Sequence, residues 1–282
     1  MQKYILTIFI LLGFLGCSSA KANKNNTVLA SMFVLSQPTH SKTPLSNNSI
    51  IIPEDTADTV TFAPNHTGIG FQDQTKAING VRGSGTSSGS GDVFSLASIG
   101  SGASIVLEWS GKRILNGSGI DFIVFENVFY YNNNPLARFI EALIVEVSQD
   151  NVNYCGFSPD YTFSPETTYS INPTYWKHFA GITPSLYNAE SNLLNGNDLY
   201  DLNKTGGDGF DLENLSATND YNIGCNTTLR DKIQSEGFVY LRLTAATART
   251  NIDTGVSFLQ DTGAFGGGPD IDGVIARYRS TR

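Results

Sequence analysis

Ala142–Ser148, ALIVEVS, carries the reading of the fold. Leu, Ile and Val fill it in an alternating run. Gln149-Asp150-Asn151 then supplies a turn, and the chain resumes as Val152–Phe157. Such a run, short and rich in β-branched residues, suits a pleated strand better than a helix. The pattern recurs on either side. TVTF (Thr59–Phe62) alternates, SIVLEW (Ser104–Trp109) follows Gly-Ser-Gly, and DFIVF (Asp121–Phe125) follows Asn-Gly-Ser-Gly. FVYLRL (Phe238–Leu243) and IDGVIARY (Ile271–Tyr278) complete the series. The one good helix candidate is Thr228–Glu236, where Leu229 and Ile233 lie one turn apart and Gly237 supplies a stop. Short strands, glycine-rich turns and few helices predict an all-β fold. The expected form is an antiparallel β-sandwich with long loops and one or two short helices.

The amino terminus has a different character. Lys3 precedes an almost unbroken apolar run, Tyr4–Leu15, that is too short to span a bilayer comfortably. Gly16-Cys17-Ser18-Ser19 follows. It resembles a lipobox of the looser kind found in spirochaete lipoproteins, with Phe14 and Leu15 where the commonest form has Leu and a small residue. On this reading residues 1–16 are a signal peptide and Cys17 is acylated. The alternative is an ordinary cleaved signal with a chance cysteine. Residues 17–53 form a flexible tether rich in Ser, Asn, Lys and Thr, and 54–282 form the folded domain. Ser18 in place of Asp points to the outer membrane by resemblance to the sorting rule of bacteria with two membranes.

The chain's 282 residues carry a formal charge of −8. Lys3, Lys21, Lys24 and Lys42 all precede the first acidic residue, Glu54, so setting these four charges aside leaves −12 for Ile51 onward. A domain this acidic does not seek nucleic acid or anionic lipid, and it accommodates cations. Charged residues make up only 16%, with Gly, Ser, Thr and Asn abundant, which suits extracellular β structure with long loops. With Cys17 assigned to lipid, Cys155 and Cys225 are the remaining thiols, expected to pair in an oxidising compartment. Two buried free thiols are the alternative.

Seven segments stand in a suggestive order. They are GFQDQTKAING (Gly70–Gly80), GDVFSLASIGSGASIVLEW (Gly91–Trp109), GSGIDFIVFEN (Gly117–Asn127), EALIVEVSQDNVNY (Glu141–Tyr154), FAGITP (Phe179–Pro184), GGDGFDL (Gly206–Leu212) and DIDGVI (Asp270–Ile275). Together they resemble a family of bacterial secreted and cell-surface proteins. The family's shared domain is similar to the galactose-binding-like jelly roll of discoidin domains and carbohydrate-binding modules. The resemblance covers about Asp58–Tyr278 and implies a fold and a location more than an activity. Cys155, Cys225 and Pro269 depart from it.

Candidate sites follow from local chemistry. In Asn197–Glu213 (NDLYDLNKTGGDGFDLE), Asp198, Asp201, Asp208, Asp211 and Glu213 are opposed only by Lys204. Two readings stay open: a structural Ca2+ held by carboxylates and loop carbonyls, with Asp201, Asp208 and Asp211 as ligands, or a solvated acidic loop. An EF-hand is excluded, because Leu212 stands at the twelfth loop position and no helices flank it. The resemblance to carbohydrate-binding modules implies Asp272 as a further calcium ligand, against a strand-end Asp that bonds backbone amides. Tyr130, Tyr131 and Trp176, in loops rich in Asn and aromatics, are candidate ligand-binding residues, against loops that pack on their own rings.

The expected function is that of a surface or outer-membrane lipoprotein. It would act as a non-catalytic, adhesin-like module for a glycan or a host or matrix protein. One alternative is a secreted hydrolase using carboxylates among Asp121, Glu126, Glu141 and Glu146. Another is a structural envelope lipoprotein. No nucleotide, phosphate-loop or serine-hydrolase motif is present, and His40, His66 and His178 show no metal-ligand spacing. The leader reading has a direct check. Metabolic palmitate labelling should mark the wild-type chain and miss Cys17→Ala, and equal labelling of both would refute acylation at Cys17.

Overall fold

Strands form where the apolar runs predict them, in a computed structural model that describes residues 55–64, 70–217, 221, 224–260 and 267–282. The expected signal peptide, Cys17 and the tether lie outside the described residues. The strands are β1 (Thr59–Phe62), β2 (Phe94–Ser95), β3 (Ser104–Glu108), β4 (Lys112–Ile114), β5 (Phe122–Glu126), β6 (Phe129–Tyr130), β7 (Arg138–Phe139) and β8 (Leu143–Ser148). They continue as β9 (Tyr154–Gly156), β10 (Asp160–Tyr161), β11 (Trp176–Lys177), β12 (Asp208–Phe210), β13 (Tyr240–Ala245), β14 (Asp270–Ala276) and β15 (Arg279–Thr281). Two α-helices, α1 (Leu202–Thr205) and α2 (Thr227–Glu236), join several 3-10 turns.

The expectation of a single all-β, galactose-binding-like jelly roll is corrected. The strands fall into five separate open sheets: β1-β3-β13-β8-β9, β12-β5-β14-β2, and the two-stranded pairs β10-β11, β15-β4 and β6-β7. Helical turns take up 18% of the described residues, so the fold is mixed α/β with no closed sandwich or barrel. The physical reason lies in polar caps that the strand pattern does not register. Asp73, Asn172, Asp201, Asp211 and Asn226 each accept a backbone N–H two or three residues onward. That bond answers an orphan donor of a first helical turn, and at Asp73, Asn172, Asp201 and Asp211 it starts a helical segment where none was expected. The resemblance to the galactose-binding-like family falls with the jelly roll.

Packing explains the strand patterns. All six residues of β8 and all five of β5 are buried. Ile105, Leu107, Val145, Val147, Leu241 and Leu243 from the five-stranded sheet share a core with Phe122, Val124, Val274 and Ala276 from the four-stranded one. Phe122 stands at its centre, with ring centroids 5.3 Å from Phe210, 5.4 Å from Phe238 and 5.9 Å from Phe157. Removing a side chain so placed costs about 3–5 kcal/mol. The alternate residues Ile123, Phe125 and Ile275 pack instead with Val81, Tyr187, Ala189 and Leu199. A third cluster sets Ile144 against Tyr161, Trp176, Phe179 and Phe258.

Helix α2 begins at Asn226, whose side chain accepts from the Leu229 N–H at 3.0 Å, and ends at Gly237 with φ 82°. A side chain at position 237 would collide with the Ile114 carbonyl. Cys225, just before the cap, is disulfide-bonded to Cys155 on β9 with Cα atoms 5.0 Å apart. The bond closes a loop across a sequence separation of 70 and ties the start of α2 to the edge of the five-stranded sheet. Cys155→Ser/Cys225→Ser should lower unfolding stability by about 2–4 kcal/mol in denaturant melts. Dithiothreitol should reproduce the loss in the wild type and change nothing in the variant; equal stability of all three would show that the bond constrains little.

Candidate functional site

The GGDGFDL segment, Gly206–Leu212, builds the site through its glycines. Gly206 and Gly207 take φ of 65° and 69°, in the left-handed region open to glycine. A Cβ on Gly206 would overlap the Pro184 carbonyl, and one on Gly207 would meet the Phe125 ring at 2.8 Å. The chain therefore enters β12 flat against its neighbours, with Asp208 opposite Val124, Gly209 opposite Ile123 and Phe210 opposite Phe122.

Asp208 acts as a latch. Its Oδ2 accepts from the backbone N–H of Ile182 at 2.9 Å and of Thr183 at 3.3 Å. The same segment is gripped from the other side by Arg138 on β7, whose Nη1 donates to the Ile182 carbonyl at 2.7 Å. Arg138 Nε donates to the Pro135 carbonyl at 2.8 Å, and its guanidinium lies 5.3 Å from the centre of the Tyr130 ring. No carboxylate lies within ion-pair distance of Arg138 among the described residues.

Around this latch opens a cavity of about 570 Å³. Phe157, Trp176, Phe179 and Phe210 contribute its apolar wall, while Arg138, His178, Thr183, Asn203, Asp208, Asp211 and Asn214 contribute polar groups. The volume and the mixture are those of a small-molecule site: a mostly apolar lining with a few placed donors and acceptors. Trp176 is buried against Tyr161, ring centroids 4.1 Å apart, and its indole N–H donates to the Ser170 carbonyl at 2.8 Å. His178, at φ 62°, donates from Nδ1 to the Ser158 carbonyl at 3.0 Å.

Three of the residues singled out in the sequence thus line one cavity: Asp208, Asp211 and Trp176. The others do not join them. Tyr130 stands behind Arg138, and Tyr131 packs edge-on against Phe129 and Phe139. Asp201 caps α1 through the Asn203 N–H at 3.0 Å, and Asp211 accepts from the Glu213 N–H at 2.9 Å. Asp272 is buried on β14 and accepts from the Arg82 N–H at 2.7 Å. Each of the four carboxylates read as calcium ligands is therefore answered by a backbone amide. Among the described residues no group of three or more His, Cys, Asp or Glu side chains is placed to hold a metal ion. Arg138 and Asn214 escaped the sequence reading, and His178 was weighed only as a metal ligand, because nothing in their local spacing connects them.

The carboxylates of the hydrolase alternative are also placed. Asp121 pins a turn, accepting from Gly117 N at 2.8 Å and Leu212 N at 2.7 Å. Glu146 pairs with Arg242 at 2.8 Å. Glu126 and Glu141 are both buried, and Glu126 Oε2 has no hydrogen-bond partner among the described residues. Burial, then the neighbouring Glu141 and Asp270, push the Glu126 carboxyl well above its ordinary range.

Compared with known proteins, the sequence matches no family model and no curated protein.

Burial raises three more carboxyls: Asp121 to about 6, Asp208 to about 6 and Asp272 to about 7, each against opposing hydrogen bonds from backbone N–H groups. A raised native pKa means that the folded chain keeps protons which the unfolded chain has released. Stability from these groups is full below about pH 4, declines as pH rises through 6 to 7, and is gone above. Asp58, Asp92 and Asp150 are held low and act the other way, losing stability only as pH falls below the ordinary carboxylate range. Denaturant melts should therefore show stability falling from pH 5 to pH 8, by up to about 5 kcal/mol. Asp272→Asn should flatten that slope. Stability that rises over this interval would contradict the assignment.

Proposed function

We propose that the chain is an exported, lipid-anchored binding protein whose cavity beside β12 takes a saccharide without cleaving it. The observation that carries this reading is the lining itself. Aromatic side chains, which suit the C–H face of a sugar ring, stand in one cavity with Arg138, His178, Asn203, Asn214 and Asp208, which suit its hydroxyls. A volume of about 570 Å³ has room for one or two sugar rings. The leader around Cys17 supports placement outside the cytoplasm, on the outer membrane, where such ligands occur.

One observation favours a second reading, a glycoside hydrolase. Asp208, its carboxyl pushed up to about 6, lines the same cavity as Asp211, and glycoside cleavage uses a carboxyl pair. Against it, Asp208 spends one oxygen on two backbone N–H groups, which makes it a positioning residue.

A glycan array probed with the full chain in detergent, followed by calorimetry on the best ligand, tests both. Asn203 and Asn214 are exposed, so Asn203→Ala/Asn214→Ala should fold normally. Losing two hydrogen-bonding side chains should weaken binding about tenfold or more. The bound glycan should come back uncut; new reducing ends would establish the hydrolase instead. No binding on the array, or an unchanged affinity in the double variant, would refute a saccharide site in this cavity.

A further inference from the structure

A second cavity, of about 350 Å³, lies on the five-stranded sheet away from β12 in sequence, and its chemistry is the reverse of the domain's. Beginning with Ile51 the chain carries −12, yet no Asp or Glu lines this cavity. Arg242 on β13 and Arg249 do, with Tyr154, Asn151, Ser104 and Phe62.

The two guanidinium groups and the Asn151 amide supply the donors. Arg242 lies over the Tyr154 ring, its guanidinium carbon 3.9 Å from the centroid. Its Nε donates to Glu146, which is fully buried, so the charge of Glu146 is spent on the wall. Arg249 differs from most cations of this domain. Lys76, Arg82, Arg113, Lys177, Lys204, Arg230, Arg279 and Arg282 each have a carboxylate within 4.0 Å. Arg249 has none among the described residues, and its Nε is shut off from solvent with no hydrogen-bond partner. Asn151, held at φ 61°, accepts the Tyr154 hydroxyl proton on Oδ1, which turns its amide N–H2 to the remaining space. Phe62, 46% exposed, forms an apolar rim.

Donors with few acceptors, two guanidinium groups and no carboxylate define the complement: an oxyanion. We propose that the cavity between Arg242 and Arg249 binds an oxyanion group, a carboxylate, sulfate or phosphate, carried on a small organic molecule whose body rests on Phe62. Planar guanidinium forks match such groups with paired, charge-assisted hydrogen bonds. A negatively charged domain repels anions at long range, so affinity here has to come from contact rather than from steering.

Arginine labelling by phenylglyoxal, read residue by residue by mass spectrometry on the full chain, tests this. The probes are inorganic sulfate, inorganic phosphate and glucuronate, with glucose and sodium chloride at matched ionic strength as controls. At ~10 mM against a Kd of about 5 mM, an oxyanion slows labelling of Arg249 about threefold. Arg113, on the surface beside Glu236, serves as the internal reference and should keep its rate. Which of the three probes protects best identifies the anion class. Arg242→Gln should abolish the protection of Arg249 while leaving Arg249 reactive. If that variant does not fold, the wild-type pattern decides alone. Slowing by none of the three oxyanions, or equal slowing at Arg113 and Arg249, would overturn the proposal.

Discussion

Because Phe122 and Val124 point into the core shared with the five-stranded sheet, while Ile123 and Phe125 point away from it, β5 must be covered twice. The second cover comes from loop and helical residues, Tyr187, Ala189 and Leu199, rather than from another sheet. This demand brings the long connection between β11 and β12 back across the four-stranded sheet. It explains why Gly206 and Gly207 are needed, since a side chain at either would strike Pro184 or Phe125. It also sets Ile182 and Thr183 against Asp208, with Arg138 on the far side. The cavity is what remains between that clamped segment and the aromatic residues around it.

Electrostatics follow from the same packing. Acidic residues outnumber basic ones, 26 to 18, and several carboxylates are forced inward. Those with backbone N–H donors are tolerated: Asp121 has two, and Asp272 has one with its second oxygen left without a partner among the described residues. Desolvation opposes the charge and the amide bonds support it; where burial dominates, the carboxyl is pushed toward neutrality. Glu126 is the extreme case, since Glu141 and Asp270 add repulsion to burial.

Strand positions were legible because each apolar run is local: DFIVF at Asp121–Phe125 became β5 at Phe122–Glu126, and FVYLRL at Phe238–Leu243 became β13 at Tyr240–Ala245. The helix expected at Thr228–Glu236 is found at Thr227–Glu236, since its cap and stop are also local. The architecture was not legible. Strands of two residues, such as β10 and β11, leave no periodic trace, and caps such as Asp201 and Asp211 look the same in sequence as turn formers or metal ligands. Counting charge in Asn197–Glu213 suggested a cation, while the backbone N–H groups that also meet Asp201, Asp208 and Asp211 cannot be counted in a sequence. Likewise Arg138 meets Asp208's segment across a separation that no local pattern records.

The central physical claim is that Asp208 holds the Ile182–Thr183 segment in place and so keeps the cavity open. Amide hydrogen exchange at Ile182 and Thr183, followed in the wild type and in Asp208→Ala at one pH, measures that hold directly. The account predicts slow exchange in the wild type and acceleration of roughly 10- to 100-fold at these two amides in the variant, with β8 and β13 unchanged. Equal exchange at Ile182 and Thr183 in the two proteins would contradict it.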